Sequence, residues 1–393
     1  MTLESGGAVA PYEGIDPRVL PDEARLSLFG EALDDVRRRA EGRMGEEDVR
    51  HVKKLRRFSL AMEIVGRGLI HLSFEPIGFG VGVIALWLHK QLEAIEIGHT
   101  ALHGAYDKLP GAAAFHSKTF SWDVPIDEES WRSGHNIKHH GNTNVAKRDP
   151  DINFGPIRLT EQTPRAGYHL FQLPFALLVL FPNFTALMNL HFTGLTDVYA
   201  PNHKDGHLDV LEDRSAKSIA HAHYRALRKY VPYYLKNYVF FPALAGPFFW
   251  KVLLGNWMAE TLRDVYSAAT IFCGHVGDEV ASYPAGTRAS GRGAWYAMQV
   301  EASNDFEVSR PVAILCGGLE LQIEHHLFPK LPPHRLREIA PEVRAICEHH
   351  GVTYRTASWG ATLVGALRSI ARLSREAPGG PIAGVREIVR AAA

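Results

Sequence analysis

The sequence predicts an all-α fold set into a membrane, with about four spanning helices and a cytosolic helical cap that holds a histidine-rich site. Two observations predict it. Apolar stretches of helical length recur along a chain that is 46% hydrophobic. Where those stretches end, histidines stand in pairs four residues apart, a spacing that stacks side chains on one helical face.

The N-terminal region, 1–57, is polar and carries the run "DDVRRRAEGRMGEEDVRHVKKLRR". It reads as solvated cytosolic helix and lacks the basic n-region, apolar core and cleavage site of a signal peptide. The central region, 58–355, holds the apolar stretches. "FSLAMEIVGRGLIHLSF" and "IGFGVGVIALWLHKQLEAIEIG" place spans near 58–74 and 77–98, and a later pair is expected near 236–254 and 256–275. None is an unbroken apolar run of the roughly 20 residues that a span needs. Glu63, Arg67, Lys251 and Arg263 interrupt them, so hydropathy alone fits the buried helices of a soluble protein equally well. Polar residues within spans are expected where the spans surround a functional site. Residues 356–393 read as a C-terminal cytosolic tail.

Composition excludes other classes. With 43 basic and 43 acidic side chains in 393 residues the formal net charge is zero, without the cationic surplus of a nucleic-acid binder. Cys273, Cys316 and Cys347 form no CxxC pair, so neither a disulfide framework nor a thiolate zinc site is indicated. Histidine is in excess, with 21 in the chain, and points to metal or proton handling.

The histidines fall into three clusters. "HTALH" carries His99 and His103. "GHNIKHHGNTN" carries His135 and His139 four apart, with His140 about 100° further round an α-helix. "LQIEHHLFPKLP" carries Gln322, His325 and His326. The pair His203 and His207 in "NHKDGHLD" has the same spacing but belongs to a polar loop. All-imidazole sets suit zinc, copper, iron or nickel. Seven clustered histidines exceed one tetrahedral zinc, and two metals fit them.

A shared site requires all clusters on one side of the membrane, so an even number of crossings separates the second from the third. The loop 196–231 carries Lys204, Arg214, Lys217, Arg225, Arg228 and Lys229, which favour the cytoplasmic side. The apolar stretch near 171–192 is therefore expected to be an interfacial helix, broken near Pro182, beneath the cap.

"HTALHG", "GHNIKHHGNTN" followed by "RDPDI", and "GGLELQIEHHLFPKLPPHRL" resemble the three histidine boxes of the membrane fatty acid desaturases. The third box, with Gln322 in place of a leading histidine, is most similar to the front-end (linoleoyl-type) branch. The resemblance covers roughly residues 60–355. It implies two iron ions, O2 as co-substrate, and a fatty acyl substrate carried on a lipid, coenzyme A or acyl carrier protein. The product would be a carbon–carbon double bond.

It also implies an isolated ligand before the third box, which "IFCGHVGDE" supplies as His275. The expected ligands are therefore His99, His103, His135, His139, His140, His275, His325 and His326. Gln322 is a weaker ligand candidate, and Asn136, Asn142, Asn144, Glu320 and Glu324 are candidates to orient the rings. Two departures block transfer of regiochemistry: Thr100 stands where front-end relatives often carry Asp, and the second box is HxxxHH where they often carry HxxHH. The His-Pro-Gly-Gly signature of a fused cytochrome b5 domain is missing, so the implied electron donor is separate: a ferredoxin, rubredoxin or cytochrome b5 with its reductase. A membrane hydroxylase or carotenoid-type oxygenase would use similar clusters, and a metal transporter would place its histidines mid-span. A soluble metal-binding scaffold would purify without detergent.

Overall fold

The structure, a computed structural model, describes residues 16–152, 155–200 and 209–375. Within them the chain is helical apart from one two-stranded parallel sheet, Asp305–Glu307 beside Thr356–Ser358.

Glu46–Leu72 and Pro76–Leu92 form a helical hairpin. The Glu75 carboxylate accepts the N–H groups of Ile77 and Gly78 at 2.7 and 2.6 Å, and Pro76 opens the second helix, so the turn is capped twice. The two helices touch backbone to backbone at Gly66, where a Cβ would lie 2.5 Å from the Leu86 nitrogen. Phe249–His275 packs onto this pair around buried Ile70, Val83, Leu86 and Val252.

The charges that interrupt the apolar stretches are satisfied inside the bundle. Arg67 Nε donates to Glu63 at 2.9 Å, one turn away. Lys251 Nζ donates to the carbonyls of His71 and Ser73 at 2.8 and 2.9 Å, closing the end of the first helix. Arg263 pairs with Asp264 at 2.8 Å and donates to Thr185, and Lys90 donates to Tyr233 at 3.0 Å.

The later pair of helices is cut differently from the sequence expectation. Ala216–Tyr234 runs on through a π turn, Leu235–Phe240, to Ala243, and the next helix begins at Phe249. The expected segment 236–254 therefore straddles a turn. Gly246, at φ 53°, reverses the chain and Pro247 starts a 3-10 turn there, a break masked in the sequence by apolar residues on both sides.

The stretch 167–192 breaks where Pro182 removes an N–H, with Asn183 leaving helical geometry ahead of Phe184–Phe192. Among the described residues, Gly167–Phe192 is the helix whose length and apolar composition suffice to cross a membrane. It is the stretch that the sequence reading keeps out of the four spans.

The polar N-terminal helix Asp22–Gly42 packs on Arg292–Glu301 and Pro333–His349 through Phe29, Leu33, Tyr296, Leu336 and Val343. Buried Asp48 joins this layer to the bundle, accepting from Arg335 at 2.8 Å, His334 at 2.7 Å and the Gly45 amide at 2.8 Å. Residues 356–373 are integral to the body: after the sheet strand, Trp359–Leu373 packs on Phe249–His275 beside Cys273 and Phe306. His203 and His207, as well as 376–393 of the expected tail, lie outside the described residues.

Candidate metal centre

The first two histidine clusters sit where a helix is locally rewound. The Pro76–Leu92 helix widens into a π turn, Glu93–His99, before resuming at Thr100–Leu102. Trp122 Nε1 donates to the carbonyls of Glu93 and Ala94 at 3.2 and 3.0 Å, replacing bonds that a π turn displaces. The second cluster lies on another π turn, Arg132–His139, which continues the short helix Glu128–Trp131 capped by Asp127.

This winding changes the ring geometry expected for an α-helix. His135 Nε2 meets His140 Nε2 at 3.2 Å, five residues on, while the His139 ring lies alongside with centroids 4.9 Å apart. The third cluster follows Gly317 and Gly318, both left-handed at φ 65° and 84°, which turn the chain into Gln322–Leu327. His275 ends the Phe249–His275 helix.

The eight rings form one continuous contact set. His99, His103, His135 and His325 present nitrogens all within 4.8 Å of one another, and so do His139, His275 and His326. His140 links the groups, stacking on His326 at 4.3 Å while meeting His135. Gln322 Nε2 lies 2.7 Å from His275 Nε2.

The nitrogens that face inward are poorly satisfied by protein. His99 Nε2 meets His103 Nε2 at 3.2 Å, and His326 Nε2 meets His275 Nε2 at 2.9 Å. At most one ring of a neutral pair can donate. His139 Nε2, His325 Nε2 and Gln322 Oε1 are buried without partners. Orphaned acceptors converging this way fit a pair of metal ions, since imidazole binds through its unprotonated nitrogen.

Outward-facing nitrogens are held. His139 Nδ1 donates to Asp149 at 2.9 Å, and His135 Nδ1 to Asp151 at 3.2 Å. His326 Nδ1 lies 3.0 Å from Thr143 Oγ1 and from Gln299 Oε1, and His275 Nδ1 lies 3.3 Å from the Ala302 carbonyl. Such partners fix the tautomer and leave Nε2 free to bind metal. Burial pushes His103, His140, His325 and His326 well below the usual imidazole range, favouring the neutral form. At His139 burial acts the same way, but the carboxylates of Asp149 and Asp151 outweigh it and raise the pKa, so a metal ion binding there displaces the Nε2 proton while Nδ1–H stays on Asp149.

The residues nominated from sequence to orient the rings are placed elsewhere. Asn136 donates to the Leu102 carbonyl at 2.9 Å and so ties the second cluster to the first. Asn142 bonds the Lys138 carbonyl, and Asn144 the carbonyls of Ala281 and Ala302. Glu320 pairs with Arg337, and Glu324 accepts from Tyr354, so neither carboxylate reaches a ring nitrogen by the hydrogen bonds formed. Asp149 and Asp151, which take the orienting role, were given no role in the sequence reading. Their signal was the "RDPDI" that follows the second cluster. His191 is buried with Nε2 4.0 Å from the same Asp151.

An apolar cavity passes beside the cluster, with His99, His135, His139 and His275 in its wall. Asn144, Ile152, Leu159 and His275 are shared with a polar recess bordered by Thr160, Glu161, Asp278 and Arg372. Ile126, Phe184, Thr185 and Met188 line the cavity elsewhere.

Two groups of converging imidazoles that could hold metal ions, set beside an apolar cavity, suit the class of enzyme that oxidises unactivated carbon chains. Residues 76–358 match the profile of the fatty acid desaturase family, and the chain belongs to that family of oxidoreductases. It is 31% identical over 364 residues to the NADPH-dependent stearoyl-CoA 9-desaturase of Mycobacterium tuberculosis, covering 90% of this chain and 81% of that one. It is 25% identical to the sn-1 linoleoyl-lipid 6-desaturase of Synechocystis, over 72% of this chain and 77% of the relative. The acyl-lipid (8-3)-desaturase of Physcomitrium patens is 28% identical, over 69% and 55%.

Proposed function

We propose that this desaturase introduces a double bond into a long fatty acyl chain, using O2 and two iron ions held by His99, His103, His135, His139, His140, His275, His325 and His326. One observation carries the reading: the apolar cavity runs past the inward rings of His135, His139 and His275. The bound irons would supply the oxidising power that side-chain acid–base chemistry lacks for an unactivated C–H bond.

The protein's own contribution is position. The cavity wall holds the chain extended beside the cluster so that one carbon–carbon bond lies near it. Ile126, Phe184 and Met188 keep water away from the buried segment. Asp149 and Asp151 hold His139 and His135 in the tautomer that presents Nε2. Overall, CH2–CH2, O2, two electrons and two protons become CH=CH and two waters.

We place four spans in the membrane: Glu46–Leu72 from about residue 58, Pro76–Leu92 with its π turn, the end of the Ala216–Ala243 helix, and Phe249–His275. Support comes from an exposed apolar belt on these helices that includes Ile64, Ile77, Val239, Leu244, Trp250 and Leu254. Ile77 is 80% exposed and Trp250 74%, values unusual for clustered large apolar residues facing water. The cap and its histidines then lie on the cytoplasmic side, with 167–192 at the interface. Electrons come from a separate ferredoxin, rubredoxin or cytochrome b5 with a reductase.

Stearoyl-CoA is the first substrate to test, given the 31% identical relative; acyl-lipid and acyl carrier protein substrates follow from the other relatives and from the resemblance. The test is expression in a host with a compatible donor, with mass-spectrometric location of new double bonds. Hydroxylated products without alkenes would refute the reading.

A further inference from the structure

The desaturase reading requires electrons to reach the histidine cluster from outside the fold. The cluster is deeply buried, and the cavity beside it is occupied by substrate during turnover. A second depression, sharing no lining residue with that cavity, is lined by Gly141, Asn142 and Thr143, which follow the second cluster. Its rim is formed by Arg148, Arg288 and Arg292, with partly buried Trp295 among them, and none of its lining residues is acidic.

Its floor includes Thr143 and Gln299. Both are buried, and both lie 3.0 Å from His326 Nδ1. A single layer of side chains, hydrogen-bonded to the ring, therefore separates the groove from a ring whose other nitrogen faces His275. The groove is also held in shape. Ala146 N–H donates to the Tyr283 carbonyl at 2.9 Å and Tyr283 N–H to the Asn144 carbonyl at 2.8 Å, clipping together the two loops that carry Arg148 and Arg288.

The charge is local. The whole chain is formally neutral, yet Arg148, Arg288 and Arg292 gather here; Arg292 pairs with Asp34, 2.7 Å from its Nε. Arg148 makes a 3.4 Å bond to neutral Asn142. A concave cationic face attracts an anionic partner and speeds its arrival.

We infer that this groove is the docking site for a small acidic one-electron carrier protein, which delivers electrons through Thr143 and Gln299 to His326. The inference rests on the desaturase reading. Two reduced carriers each give up one electron per double bond formed and leave oxidised, and the protons come from solvent.

The test uses the iron-loaded full chain in detergent, with an acidic plant-type [2Fe–2S] ferredoxin, ferredoxin reductase and NADPH as the electron supply. Arg148→Glu/Arg288→Glu is compared with the unmodified protein and with a control on elements that do not line the groove, Lys217→Glu/Arg344→Glu, that changes net charge equally. The groove variant is expected to raise the KM for ferredoxin roughly tenfold and to flatten its salt dependence. The control should change neither. In parallel, each protein is reduced with dithionite and mixed once with O2 and substrate; all three should form equal product. An unchanged ferredoxin KM in a groove variant with normal single turnover overturns the docking site and leaves the desaturase reading intact. An equal rise in the control overturns it too. Ferredoxin that fails to support the unmodified protein, when dithionite does, overturns the acidic-carrier assignment. No alkene from the dithionite-reduced unmodified protein overturns the desaturase reading itself.

Discussion

Replacing Asp149 by Asn tests the centre without removing a ligand. The Asp149 side chain is fully buried, and its two oxygens accept from His139 Nδ1, the Asn144 amide at 2.7 Å and the Asp151 amide at 2.8 Å. Asparagine keeps one acceptor and turns the other into an NH2 group that faces donors. At least one N–H is left without a partner, at about 1–3 kcal/mol. His139 also loses a charged acceptor, which elsewhere lowers metal affinity 10- to 100-fold, about 1.4–2.7 kcal/mol. The expected result is a lower melting temperature, roughly 10- to 100-fold weaker Fe(II) retention in a chelator-buffered titration, and a matching loss of product. Asp151→Asn should act in the same direction but less, since its contact to His135 is longer at 3.2 Å. Full iron occupancy with normal product from Asp149→Asn would refute the assigned role.

Single His→Ala changes at His139 or His275 should abolish or strongly reduce product and lower iron per chain, measured by plasma mass spectrometry, while circular dichroism stays helical. His203→Ala and His207→Ala should leave both nearly unchanged. Met188→Trp should fill the apolar cavity beside Phe184 and shift the accepted acyl chains shorter, read as the product profile from a mixture of chain lengths. Gly66→Val should destabilise the helical hairpin by at least about 1–3 kcal/mol, because its Cβ meets the Leu86 backbone, and thermal melting in detergent would record it. At Asp48 burial tends to raise the carboxyl, but Arg335, the Gly45 amide and His334 outweigh it and hold the pKa at about 2. Its stabilising contribution is therefore complete above the ordinary carboxylate range and fades as pH falls from about 4 through 2. Asp48→Asn should weaken that acid-sensitive step in a pH melt.

The convergence of the seven box histidines was legible because imidazoles at helical spacing beside apolar stretches have few other uses. His275 came from the family resemblance, its local support being only its place at the end of an apolar segment. The π turns were not legible: local sequence does not specify an i→i+5 ladder, and the group that satisfies one of them, Trp122, arrives from another segment. The spans read weakly because hydropathy counts Glu63, Arg67, Lys251 and Arg263 as isolated charges, whereas the fold supplies each with a partner. The turn at Gly246 carried its own signal in "AGPF", which two apolar flanks obscured. Glu324 looked suited to a ring because it adjoins His325, yet neighbours in a helix point apart, and it meets Tyr354 instead.

A π turn is an α-helix carrying one surplus residue. With about 4.4 residues per turn instead of 3.6, residues at 0, 4 and 5 fan out at nearly the angles that 0, 3 and 4 take on an α-helix. The Arg132–His139 turn thus lets an HxxxHH box aim its rings much as an HxxHH box would on ordinary winding. Box length then becomes a matter of helical pitch rather than coordination chemistry. An insertion of one residue can be absorbed by the backbone without disturbing the ligand directions, which gives such enzymes latitude to drift in spacing while their metal chemistry stays fixed.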